Sequence, residues 1–188
     1  MKQAIIIVAA LAVLAVSGGL YQQAGGGNAV AEAGAVRARV SLRDAEHTHV
    51  GGAKLTQRGD EVRVSVTTRG LTPGFHGFHV HAVGVCEAPF TSAGGHFNLP
   101  GNTHPDHSGD MPVLLINADG KGEARFETDR FGISDLFDAD GSAIIIHAGP
   151  DNYANIPTRY SATGPDEMTL ATGDSGARAA CGVVREGG

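Results

Sequence analysis

Glu61-Val62-Arg63-Val64-Ser65-Val66-Thr67 sets a valine at every second position, with charged or hydroxyl-bearing residues between. A chain with that period separates an apolar from a polar face only when it is extended, so the stretch is a half-buried β-strand. Glu123-Ala124-Arg125-Phe126-Glu127-Thr128 alternates in the same way. Working outward, strands are expected over 36–42, 52–57, 74–82, 113–117, 142–148 and 179–185, which with the two quoted makes eight. Gly59-Asp60, Asp119-Gly120 and Asp140-Gly141 supply turn signals between them. The 28 glycines, 5% aromatic residues and absence of tryptophan suit a loop-rich all-β protein better than a helical bundle. No repeat and no helical period of useful length is present.

Two stretches break the pattern. Residues 83–111 and 149–177 are long, polar and rich in Gly and Pro, and loops of that length in a compact domain are functional or disordered. The first carries His96, His104, His107 and Asp110, which favours function. Seven of the nine histidines fall between Phe75 and Ala148. His79 and His81, two apart in a strand-like run, point to one face. His147 ends the apolar run Ala143-Ile144-Ile145-Ile146-His147. Imidazole with carboxylate is the donor set of copper and zinc. These donors exceed what one tetrahedral ion takes, so two metals sharing a ligand is the simplest stoichiometry.

The N-terminus reads as a processing segment. Lys2 precedes an apolar stretch from Ala4 to Val16, and Ala29-Val30-Ala31 is the best small-residue cleavage site. Residues 1–31 are therefore expected to be a cleaved signal peptide, 32–35 a flexible leader and 36–188 the functional domain. The competing reading keeps the segment as an anchor tethering the protein to a membrane. Cleavage would remove one lysine and no acid from a chain whose formal charge is −6. Without a Lys/Arg cluster, nucleic acid is not expected as a partner. In an exported protein the lone pair Cys86 and Cys181 is most simply a disulfide, the other reading being two buried thiols.

Four motifs now stand together: Gly74-Phe75-His76-Gly77-Phe78-His79-Val80-His81, Ala93-Gly94-Gly95-His96-Phe97-Asn98, His107-Ser108-Gly109-Asp110 and Gly176-Ala177-Arg178-Ala179-Ala180-Cys181-Gly182-Val183. In type and order they resemble the copper/zinc superoxide dismutases, over essentially everything from Val36 onward, and with the leader they look like the secreted bacterial branch. The resemblance implies an eight-stranded Greek-key flattened barrel or immunoglobulin-like sandwich with two long functional loops. It implies one copper per subunit on His79, His81, His96 and His147, and one zinc on His96, His104, His107 and Asp110, with His96 bridging. Asp151 would link His79 to His104, Arg178 would attract the superoxide anion, and Thr172 would line the channel. The family's channel lysine is replaced by Ala171, so steering must rest on other charges, Arg159 among them. His96 would also serve catalysis by carrying a proton. The reaction implied is dismutation of superoxide to oxygen and hydrogen peroxide, protecting the cell envelope.

Some residues depart from the family or lie outside its motifs. The His104–His107 interval is shorter than in the eukaryotic branch, which puts the zinc site in question. His76 is expected to bond backbone rather than metal, and His47 and His49 to be exposed turn residues. Two other functions compete: a non-catalytic metal-binding domain, and a zinc hydrolase built on His79, His81 and His147, for which no Glu or Ser offers itself as proton-transfer partner. A homodimer is left open, with no large apolar stripe to assign to its interface.

Overall fold

The computed structural model describes residues 36–99 and 101–187; the expected signal and leader lie outside them. Ten strands form: β1 (Arg37–Arg43), β2 (His49–Arg58), β3 (Glu61–Thr68), β4 (Gly74–His76), β5 (Phe78–His81), β6 (Leu114–Ile116), β7 (Gly122–Thr128), β8 (Ala143–His147), β9 (Arg178–Val183) and β10 (Arg185–Glu186). All eight expected regions are strands. The count rises to ten because two regions change neighbours part-way. In the first, β4 pairs with β6 and β5 pairs with β8. At the switch, Gly77 N–H donates to Gly149 O and Gly77 O accepts from His147 N, both at 2.8 Å. In the last, β9 lies against β8, and β10 returns to β1.

The hydrogen-bonded order is β4-β6-β7-β3-β2-β1-β9-β8-β5, all antiparallel where adjacent. Its two end strands are consecutive in the chain, so the sheet curls into a nearly closed barrel. The quoted valines face inward: Val62, Val64 and Val66 are at most 1% exposed. Val64 lies opposite Leu55 on one side and Phe126 on the other. Phe126 meets Phe78 edge to face, centroids 6.5 Å apart. Each such side chain contributes about 1.5–3 kcal/mol by leaving water.

β5 and β8 are buried on both faces; the continuous apolar run of β8 requires this, whereas β5 alternates Phe78 and Val80 with His79 and His81. Phe78, Val80, Ile144 and Ile146 face the barrel core. Ala143 and Ile145 belong to a second cluster with Phe90, Ala93 and Cys181 beneath the first long loop. That loop also covers the free edge of β5: Val80 N donates to Gly109 O and Val80 O accepts from Phe97 N, each at 2.9 Å. A Cβ on Gly109 would sit 2.3 Å from Val80 O, so only glycine permits this approach.

The second long loop holds one element not expected from the sequence, the helix α1 (Glu167–Thr172). Asp166 caps it by accepting from Thr169 N at 2.9 Å, and Gly173 ends it at φ 57°. Six residues carry too little apolar period to register, although the cap and the glycine were readable. Among the described residues no helix is long and apolar enough to cross a membrane.

Candidate metal centre

Strand geometry brings the first three imidazoles together. His79 and His81 project from one face of β5 and are at most 1% exposed. His147 ends β8, where the register slips between Ile146 and His147 and re-aims the side chain. His96 enters from the long loop by pairing with His81 as an isolated bridge. One donor atom from each of His79, His81, His96 and His147 lies within 4.8 Å of all the others.

Hydrogen bonds to the far side of each ring fix which nitrogen is left. His81 Nδ1 donates to Gly94 O at 3.0 Å and His147 Nδ1 to Gly176 O at 3.1 Å. Their Nε2 atoms, 3.4 Å apart, thus face each other as lone pairs. His79 uses Nε2 to donate to Asp151 Oδ2 at 2.6 Å, leaving Nδ1 buried with no hydrogen bond. Opposed lone pairs and an orphaned buried nitrogen are costly unless a cation takes them up. Burial, then the neighbouring histidines, hold these rings neutral. His81 lies well below its ordinary value and His147 falls to about 3. His79 is also lowered, burial outweighing Asp151. Neutral imidazole is the form that binds metal.

A second cluster shares His96. Asp110 stands opposite His79 as an isolated bridge. Its carboxylate lies 2.7 Å from His96 Nδ1, 3.0 Å from His104 Nδ1 and 3.1 Å from His107 Nδ1. Three Nδ1 atoms therefore converge on one carboxylate, and the short His104–His107 interval does not prevent either ring from arriving. One donor atom from each of His79, His96, His104 and Asp110 lies within 4.8 Å of all the others, a foursome with His79 in place of His107. His107 closes the cluster from the His96 side, at 3.3 Å between Nδ1 atoms. His104 Nδ1 is buried and has Asp110 Oδ2 at 3.0 Å, out of line for a well-formed hydrogen bond. Burial disfavours a charge on His104, yet Asp110 and Asp151 together raise it to about 9. Both carboxyls are held far below their usual range, histidine bonds outweighing burial. The cluster demands positive charge at its centre, and N and O donors so arranged suit zinc. Asp151 ties the two clusters, accepting from His79 Nε2 and from His104 Nε2 at 2.8 Å.

The first cluster opens into a depression of 330 Å³ lined by His81, His96, His147, Thr172, Asp174 and Arg178 among others. Arg178 donates through Nη1 to Phe90 O and through Nη2 to Gly94 O, the carbonyl that also orients His81. Thr172 Oγ1 donates to Met168 O at 2.9 Å. Asp174 was not singled out by sequence reading. It accepts from Asn152 at 2.6 Å and Thr169 at 2.8 Å, and it adds a negative charge to the lining it shares with Arg178. Arg159 stacks over Tyr160 at 4.8 Å and is not among the residues lining this mouth.

Two further supports had no sequence signal, because their partners are remote in the chain. Tyr153 stacks on His104, centroids 6.5 Å apart and 15° from parallel, while its hydroxyl accepts from Val113 N at 2.9 Å. Arg130 donates to the carbonyls of Pro105 and His107. Of the remaining expectations, Cys86 and Cys181 form a disulfide. His76 places its ring nitrogens 2.6 and 2.8 Å from His147 O and Thr72 O. His47 and His49 are exposed as expected, but His49 opens β2 rather than lying in the turn.

Comparison with known proteins adds independent findings. The family model for copper/zinc superoxide dismutase matches residues 49–184. The chain is 46% identical over 165 residues to "Superoxide dismutase [Cu-Zn]" of Mycolicibacterium paratuberculosis, covering 78% of this chain and 73% of that one. The protein of the same name in Mycobacterium tuberculosis is 45% identical over 166 residues, covering 78% and 69%. Among solved structures, a double mutant of a SOD-like protein from Bacillus subtilis is 33% identical, with a TM-score of 0.63 over 77% of this chain and 95% of that chain.

Proposed function

The chain belongs to the copper/zinc superoxide dismutase family, and from that membership we propose which of its residues carry the reaction and where it takes place. The activity is dismutation of superoxide, and the cofactors are copper and zinc. His79 through Nδ1 and His81, His96 and His147 through Nε2 would hold copper. His96, His104 and His107 through Nδ1, with Asp110, would hold zinc. Copper when bound supplies a one-electron cycle that turns one superoxide into oxygen and a second, with two protons, into hydrogen peroxide.

The protein's own groups do the rest. Arg178 presents positive charge and spare N–H groups at the mouth, which draws and orients a small anion. Thr172 narrows the approach beside it. His96, with Nδ1 turned to Asp110, keeps Nε2 for the open side, where it carries a proton towards the peroxide-forming half-reaction. Asp151 fixes the ring angle and tautomer of His79 and His104. Residues 1–31 would export the protein as a cleaved signal, a retained anchor being the alternative that tethers it to the membrane. The disulfide supports an oxidising destination. Superoxide is an anion and crosses bilayers poorly, so an exported enzyme would guard the envelope against superoxide made outside.

One observation carries the residue assignment: donor nitrogens of four histidines lie within 4.8 Å of one another, and three of these residues, His81, His96 and His147, line a depression shared with Arg178. The test is superoxide decay after pulse radiolysis, with metal content measured on the same samples. Protein loaded with copper and zinc should accelerate decay near the diffusional ceiling, about 10⁸–10⁹ M⁻¹s⁻¹, and His147→Ala should abolish this with the fold kept. Undiminished activity in His147→Ala would remove that residue from the site.

A further inference from the structure

Between His104 and His107 lie only Pro105 and Asp106, and this tetrapeptide must present two rings to one point. Loop backbone of that kind needs an external hold, because unconstrained residues lose conformational freedom when metal arrives. The hold comes from the segment after β7, which lines one depression with Pro105 and Asp110. Arg130 lies two residues past the end of β7; its own N–H donates to Thr128 Oγ1 at 3.2 Å, and the next residue, Phe131, is buried in the main core. From that anchored position Nη1 reaches Pro105 O at 2.6 Å and His107 O at 3.2 Å. Nη2 lies 3.6 Å from Asp106 Oδ1, an exposed pair that adds little by itself. The two carbonyls flank Asp106, so pinning both fixes the backbone between the ligands.

We propose that Arg130 is a positioning residue for zinc, presetting the His104–His107 tetrapeptide in its ligand-bearing shape before the ion binds. The inference rests on the assignment of His104, His107 and Asp110 as zinc ligands. Both carbonyls accept from the one nitrogen Nη1, whose two N–H groups the rigid guanidinium plane aims in fixed directions. Arg130→Met keeps the apolar stem and removes the donors, whereas Arg130→Lys keeps charge and donors on a flexible stem without the preset plane.

The experiment measures zinc affinity of the full chain by competition with a chromophoric chelator, and follows cobalt(II) as a spectroscopic probe of coordination geometry. Outer-shell losses weaken metal binding by about 10–100-fold. That loss is expected for Arg130→Met, with altered cobalt bands, and a smaller one for Arg130→Lys. A purely structural strap would lower the melting temperature of metal-free protein and leave the chelator curves superimposed on the parent; that result overturns the proposal. His104→Ala is the control on the premise. If it leaves zinc binding intact, the ligand assignment falls and Arg130 falls with it. If it abolishes binding while Arg130→Met matches the parent, Arg130 alone is refuted.

Discussion

Gly173→Ala should damage the zinc side of the site although residue 173 is no ligand. Gly173 sits at φ 57° after α1, and a Cβ there would lie 2.2 Å from Asp151 Oδ1 and 2.5 Å from His104 Nε2. Those two atoms are hydrogen-bonded at 2.8 Å, so the methyl would occupy their bond. Gly173 has little room to retreat, because its N–H donates to Thr169 O and its carbonyl accepts from Asn152 N, each at 2.9 Å. Gly59, at φ 61° with nothing near its missing Cβ, is the matched control. Left-handed backbone costs alanine about 1–2 kcal/mol at either position. At Gly173 overpacking adds about 1–3 kcal/mol. For a domain of this size 1 kcal/mol moves the midpoint by roughly 2–4 °C, so metal-free Gly173→Ala should melt about 2–12 °C below Gly59→Ala. Zinc affinity, read by chelator competition, should fall about 10–100-fold in Gly173→Ala alone. Equal melting and equal zinc affinity in the two variants would show that Asp151 and His104 are not held against residue 173.

Arg178→Glu should slow superoxide decay and flatten or invert its dependence on ionic strength, since it reverses the cation at the mouth; Asp174→Asn should do the opposite at low salt. Replacing Cys86 and Cys181 together by Ser removes a cross-link across 95 residues, worth up to about 4–5 kcal/mol in the chain-entropy model. Calorimetry should show a midpoint lower by roughly 8–20 °C, and an unchanged one would deny the bond a stabilising role. Metal-free protein should lose stability as pH falls below about 6.5. His81 and His147 have folded values depressed by burial, so the unfolded chain binds more protons there and is favoured as acid is added. Denaturant midpoints that stay flat from pH 7 to 5 would contradict their neutral burial.

Sequence alone determined the strands, because a period of two is a local property that any half-buried extended segment must show. It also determined the donor set, because histidine and aspartate at strand and loop positions have few other uses in such numbers. Resemblance then supplied the partition into copper and zinc sides. What sequence could not yield is pairing. That 74–82 would break at Gly77 to serve β6 and then β8 follows from closing the barrel, which no short window contains. The choice of nitrogen on each ring depends on Gly94 O, Gly176 O and Asp151, which only the folded chain brings to His81, His147 and His79. Arg130, Tyr153, Asp174 and the absent Cβ of Gly173 belong to the same class. Each acts across a gap set by tertiary contact, and their own neighbourhoods in the chain carry no mark of it.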